Sequence, residues 1–341
     1  MNRRMSVIAA TLTLVVGAMA PATRAQSSVS LYGLVDAFAG VVHPSGAPGT
    51  TWTISGGGMS TSYWGLKGSE DLRGNLKAVF ALEGFFRINN GRYGSFDGQS
   101  FFARNAYVGL QSTLGTLTLG RNTVPLFVST ILFNPFVDSF NFSPMMLHTY
   151  VDSGIGPASV QGDTGWENSV LYSAPNFGGL TGSLIYGTAG IAGHPGEANY
   201  GGNLLYLGGR LSATAAFQSV KETALFFNGA SRQNAYQAGA SYDFTYAKAY
   251  AQYQHVDNSN NVHDDTGQLG VNAPAGTGSV LLSWSYTRRR GMVGSRIWNT
   301  GAFGYVQPLS KRTSVYGTYL FDKVSAAGSG GRFGVGVRHQ F

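Results

Sequence analysis

The sequence predicts an all-β protein: a transmembrane antiparallel β-barrel of about 16 strands, with a long third loop folded into the lumen. Three observations carry this. The last strand alternates in character and ends flush on Phe341, the composition is rich in glycine and aromatics but poor in charge, and alternating segments follow one another through connections that are short and long by turns.

In the last strand Phe341, His339, Val337, Val335 and Phe333 alternate with Gln340, Arg338, Gly336, Gly334 and Arg332. A period of two places the mostly apolar set on one face of a sheet and the glycine and charged set on the other. A terminal aromatic after such a strand fits bacterial outer-membrane barrels, whose lipid-facing side is apolar and lumen side polar.

Of 341 residues, 49 are Gly, 18 Tyr and 21 Phe, and only 11% are charged; an average protein is about a quarter charged. After the N-terminal segment no window is apolar over about 18 residues, so no transmembrane helix is expected. The chain has no cysteine, which excludes a disulfide framework and thiolate chemistry. No long run of one charge sign occurs, so a nucleic-acid partner is not expected.

The N-terminus reads as a signal peptide over 1–25. Arg3 and Arg4 precede an apolar stretch from Val7 to Ala20, and Ala22-Thr23-Arg24-Ala25 offers small residues for cleavage. That stretch is shorter than the roughly 20 residues a membrane-spanning helix needs. The barrel domain is then 26–341. The leader holds three basic residues and no acids, which leaves 20 cations against 16 anions, a formal charge of +4 in place of +7.

The alternating segments follow in order. Tyr32 and Asp36 oppose Leu31, Gly33 and Val35; Tyr63, Gly65 and Lys67 oppose Trp64 and Leu66; Lys77, Glu83 and Arg87 oppose Leu76, Ala78, Phe80 and Leu82. Each is about ten residues long, as a tilted membrane strand requires. Later strands are expected over 168–175, 180–187, 200–206, 211–220, 234–243, 245–255, 266–273, 279–287, 297–307, 313–324 and 332–341. Short turns are read at 70–75, 112–115, 176–179, 207–210 and 307–310, and longer loops at 43–51, 89–98, 188–200, 221–232, 255–265 and 288–296. Between Asn122 and Gly165 more than forty residues lack sustained alternation. A stretch of that length without a pattern is a candidate functional loop, and a barrel of this size has room for it inside.

With these segments in view, the chain resembles the Gram-negative general porins of the β-proteobacterial type. The resemblance rests on Asp71-Leu72 with 76–83, on Ala106-Tyr107-Val108-Gly109-Leu110 with 115–121 after it, on Asn168-Ser169-Val170-Leu171-Tyr172 with 173–179, and on the closing 336–341. It covers essentially the whole of 26–341. It implies a sixteen-stranded barrel, a homotrimer, passage through the barrel-assembly machinery with Phe341 as the assembly signal, residence in outer-membrane lipid and lipopolysaccharide, and passive diffusion of ions and small hydrophilic solutes. It also implies a third loop that narrows the pore, facing basic residues on the wall.

Candidate pore-lining residues are Lys67, Lys77, Arg104 and Arg121 on the wall and Asp138, Asp152, Asp163 and Glu167 on or beside the loop. Lys67 and Lys77 have lumen parity. Arg104 matches the place where the family carries a pore arginine, yet shares parity with Val108 and not Tyr107, which a bulge would explain. Arg121 shares parity with Leu117 and Leu119 and is read as outward or at the loop root. Loop carboxylates opposite wall cations set ion preference in a narrow aqueous pore. The loop aromatics read mainly as anchors, the alternative being an aromatic-substrate site, and Asn134-Pro135-Phe136 as its tip. The chain departs from the family pattern at Tyr63 and Gly165, where relatives tend to carry arginine, so weak ion selectivity is expected in place of anion preference.

No catalytic, cofactor or metal residues are assigned: there is no Cys, no Gly-Lys-Ser/Thr phosphate loop and no His-Glu-x-x-His, and the six histidines are scattered. Two rivals to a general porin are a substrate-specific channel of the same fold and a secreted all-β adhesin. The second does not explain the alternation of short and long connections.

Overall fold

The computed structural model describes residues 27–152, 155–156, 158–188, 198–221, 230–292, 294–325 and 327–341. The segment read as a signal peptide lies outside them, as do most of the loops read at 188–200 and 221–232. The strands run β1 Ser27–His43, β2 Thr51–Gly56, β3 Tyr63–Asp71, β4 Lys77–Phe85, β5 Asn105–Ser112 and β6 Gly115–Thr123. Two helices follow, α1 Pro125–Leu132 and α2 Pro144–Tyr150. Then come β7 Gly165–Ser173, β8 Leu180–Thr188, β9 Ala198–Gly208, β10 Leu211–Val220, β11 Gln233–Asp243 and β12 Lys248–Asn258. The series ends with β13 His263–Ala275, β14 Gly278–Met292, β15 Gly294–Pro308, β16 Thr313–Val324 and β17 Gly328–Gln340.

Neighbouring strands pair antiparallel, and β1 pairs with β17 from Leu34 opposite Gln340 to His43 opposite Gly331, which closes the sheet. The first half of β1 pairs with β3 and the second half with β2. β2 and β3 are therefore successive parts of one stave, and the seventeen segments make the expected sixteen-strand barrel. The break between them is organised by Asp36. Its carboxylate accepts the backbone N–H groups of Gly58 (2.9 Å), Met59 (3.0 Å) and Ser60 (3.1 Å), while Gly57 supplies the positive φ that the bend requires.

The barrel is apolar outside and polar inside. Val108, Leu184, Leu204, Trp284, Phe303 and Val335 are exposed, whereas Gln254, Thr266, Gln268, Ser285, Thr287 and Thr300 are buried. With a side-chain period of two, one face of every strand meets lipid and the other meets the interior. In β4 this puts Phe80 opposite Val108 on the apolar face, and Ala81 and Glu83, both buried, on the other. At the seam Phe341 exchanges backbone hydrogen bonds with Gly33 (3.1 and 3.2 Å). A Cβ on Gly33 would sit 2.6 Å from the Phe341 ring, so the ring needs glycine there.

Two expectations are corrected. The stretches 255–265 and 288–296 are mostly strand: β12 and β13 are separated only by 259–262, and β14 extends to Met292. There the strands carry cross-strand polar pairs, with His255 opposite Asp265 and Asp257 opposite His263, so polar residues fill both faces and no hydrophobic alternation marks them. The segment 122–165 is also not structureless. Its helices are only eight and seven residues long, too short for an apolar stripe to stand out. Each begins with proline, which is pre-set for the first helical turn.

Candidate pore constriction

The segment between β6 and β7 is held by side chains of the polar face. In α1, Ser129 shares a 2.8 Å hydrogen bond with Thr214, Thr130 donates to Gln237 (2.8 Å), and Gln252 donates to the Thr130 carbonyl (3.1 Å). Near the β2–β3 break, Asn141 donates to the Gly57 carbonyl (2.8 Å) and Ser60 donates to Asp138 (2.7 Å). In α2, the His148 ring lies between Thr287 and Thr300, each 2.7 Å from one ring nitrogen, and stacks on Trp298 at 4.0 Å. Burial lowers the His148 pKa to about 3, so the ring is neutral and bonded at both nitrogens. Farther along, the buried Arg289–Asp264 pair (2.6 Å) also holds the Ile155 carbonyl (3.2 Å).

Shape matches these bonds. Phe133, Phe136, Phe142, Met145 and Met146 are fully buried. Where they and Pro135 press on the strands, the strands carry glycine. A Cβ at Gly239 would lie 3.2 Å from Phe133, at Gly304 3.1 Å from Phe136, at Gly334 2.9 Å from Phe142 and at Gly270 2.6 Å from Pro135.

The candidate charges fall into separate groups. Arg104 pairs with Glu83 at 2.6 Å and lies over the Tyr63 ring at 4.1 Å. Glu83 also accepts from Tyr32 and Asn105, and Lys67 sits 4.5 Å from the centre of the Tyr32 ring. Arg104 precedes β5, so the parity of that strand does not govern it. Asp138 lies nearby on the loop, and its carboxyl pKa is raised by burial, against the lowering effect of Arg104 and Arg338. Arg121 is at the loop root, where it binds Asp163 (2.5 Å), Glu167 (3.3 Å) and the Ala103 carbonyl (2.5 Å). A register shift between Gly120 and Asn122 lets it leave the phase of Leu117 and Leu119. Lys77 pairs with Asp71 (3.0 Å) at the β3–β4 turn, six residues and roughly 20 Å from Glu83 along β4. Asp152 accepts the Ala158 N–H (2.9 Å). The loop carboxylates and wall cations read from the sequence are therefore spread over separate places and do not stand as one facing set.

A family model described as Gram-negative porin matches residues 9–327. The chain belongs to the Gram-negative porin family. Outer membrane porin protein 32 of Delftia acidovorans is 32% identical over 336 residues, covering 96% of this chain and 92% of the relative. An outer membrane porin protein of Bordetella pertussis is 27% identical, covering 94% of this chain and 96% of the relative. Among solved structures, the anion-selective porin from Comamonas acidovorans has 28% identity and a TM-score of 0.78, covering 93% of this chain and all of that one. OmpT of Vibrio cholerae in its trimer form has 14% identity and a TM-score of 0.68, covering 92% of this chain and 99% of that one, a likeness of fold. The protein is an outer-membrane porin, a channel protein of a family of channels.

Two basic residues of the porin wall were not singled out from sequence. Arg332 and Arg338 share the inward parity of Gly334 and Gly336, opposite exposed Phe333 and Val335. Arg332 donates to the loop carbonyl of Asn141 (3.3 Å). The alternation of the last strand already held the signal: two arginines on its glycine face.

Proposed function

We propose that this porin is a general diffusion channel for ions and small hydrophilic solutes, narrowed by the 122–165 segment inside the lumen, with only weak ion preference. The observation that carries this is how the wall cations are paired. Arg104 is matched by Glu83, and Arg121 by Asp163 and Glu167. Arg338 then acts on Asp138, whose carboxyl pKa is raised by burial, and Lys67 rests over Tyr32. The Comamonas relative is anion-selective; in this chain Tyr63 and Gly165 occupy places where arginine is expected in the family, which argues against so strong a preference. The channel works as a homotrimer in outer-membrane lipid and lipopolysaccharide after insertion by the barrel-assembly machinery. The trimer form of OmpT supports the first of these by likeness of fold.

Reversal potentials in planar bilayers under a salt gradient test this reading. The Debye length is about 8 Å at physiological ionic strength, so preference should grow as salt is lowered. Asp138→Asn should move the reversal potential toward anions and Lys67→Gln toward cations. If neither moves it at low salt, the constriction lies elsewhere.

A further inference from the structure

A cleft of about 670 Å³ opens between the β4–β5 connection and the loop residues 140–152 and 158–164, within the roughly 300–1,000 Å³ of small-molecule sites. The loop aromatics divide here. Whereas Phe133, Phe136 and Phe142 are fully buried, Phe127, Phe140 and Tyr150 are only partly so. These three rings brace one another, with centroids 5.5–6.5 Å apart, and Phe140 and Tyr150 line the cleft. Around them stand amide side chains, Asn89 and Gln161 among them, which offer both donors and acceptors.

The charges of the lining are already spoken for. Arg87 binds Asp97 at 2.7 Å, and Asp163 binds Arg121 at 2.5 Å. Asp152 accepts the Ala158 N–H. An anion would have to compete with Asp97 for Arg87, the cation of the lining. A neutral molecule that is flat, apolar on one face and rich in hydroxyls at its edge would not. Rigid ring faces bind its C–H surface, and amides bind its hydroxyls.

We propose that this cleft is a weak binding station for neutral carbohydrate, of mono- or disaccharide size, which holds the sugar before it passes the constriction. The inference rests on the channel reading above and names a solute class for it. Maltose and glucuronate are the probes, added to single channels in symmetrical KCl, with saturation-transfer NMR on the detergent-folded protein as a readout that needs no conductance. Maltose should reduce the current saturably and give transfer signals, and glucuronate should do so more weakly. Phe140→Ala and Tyr150→Ala should raise the half-saturating maltose concentration about five- to tenfold, in keeping with the loss of one aromatic contact. Asn89→Ala, on an exposed loop position and without risk to the fold, should raise it less. Open channels with a current that falls only in proportion to viscosity, and no transfer signal, overturn the carbohydrate site alone. Transfer that persists in a protein forming no channels supports the site and removes the channel reading. Glucuronate binding as tightly as maltose, or all three variants behaving as wild type, overturns the proposal.

Discussion

Arg104 and Glu83 form a 2.6 Å ion pair in which the carboxylate is nearly buried and also accepts from Tyr32 and Asn105. The pair fixes the guanidinium over Tyr63 and offsets its charge. Glu83→Gln should therefore release a cation and shift the reversal potential toward anions. Arg104→Gln leaves the buried carboxylate short of one charged donor, at a cost of about 1–3 kcal/mol. Its heat-modifiable gel band should melt at a lower temperature than that of Glu83→Gln. Equal reversal potentials for wild type and Glu83→Gln would show that this pair does not face the ion path.

The lipid face of β4 is tested by a one-residue contrast. Phe80 lies opposite exposed Val108, and its neighbour Val79 has the parity of buried Ala81. An arginine on the lipid face near mid-bilayer costs roughly 2–4 kcal/mol. Phe80→Arg should yield little folded barrel and Val79→Arg a near-normal amount, measured as the heat-modifiable fraction. Similar yields would mean that the register is off by one.

Gly270 meets the loop at Pro135, where an added Cβ would lie 2.6 Å from the proline ring. Gly270→Val should push the loop tip away and change single-channel conductance. Gly267, on the same strand with open space around its built Cβ, provides the control: Gly267→Val should leave conductance as it is.

His148 gives the loop a pH dependence. An unfolded histidine titrates near 6.5, and burial brings this one down to about 3. Between those values the unfolded chain binds more protons, so stability is present above about pH 6.5 and falls as pH drops toward 3. The loss should be on the order of a few kcal/mol. Thermal melting at pH 7.5 and pH 4.5 reads it, and His148→Gln should flatten the difference between the two.

Removal of the last aromatic addresses assembly. Phe341→Ser takes away the ring that packs on Gly33 at the closing seam. Export should proceed as before while the amount of folded, heat-modifiable protein falls. An undiminished yield would assign Phe341 no part in closure.

Local pattern was enough to read the barrel. Period-two alternation, turn chemistry and the final strand are short-range features, and they placed β10 and β16 at the bounds the structure has, Leu211–Val220 and Thr313–Val324. Where local pattern fails, the reading failed with it. Strands β12 to β14 continue as polar ladders such as His255–Asp265 and Arg289–Asp264, with no hydrophobic period to mark them. α1 and α2 are short and buried, so their pattern reflects their surroundings more than their own faces. The candidate charges could be named from the sequence, but partnership is a property of three dimensions. Closure of the sheet brings Arg338 of β17 beside Asp36 of β1, pairing of neighbouring strands sets Arg104 against Glu83 and Lys77 against Asp71, and packing of the loop brings Phe133, Pro135, Phe136 and Phe142 to rest on glycines of four strands. Those contacts join residues more than a hundred positions apart in several cases, a distance at which a single sequence carries no periodic trace of them.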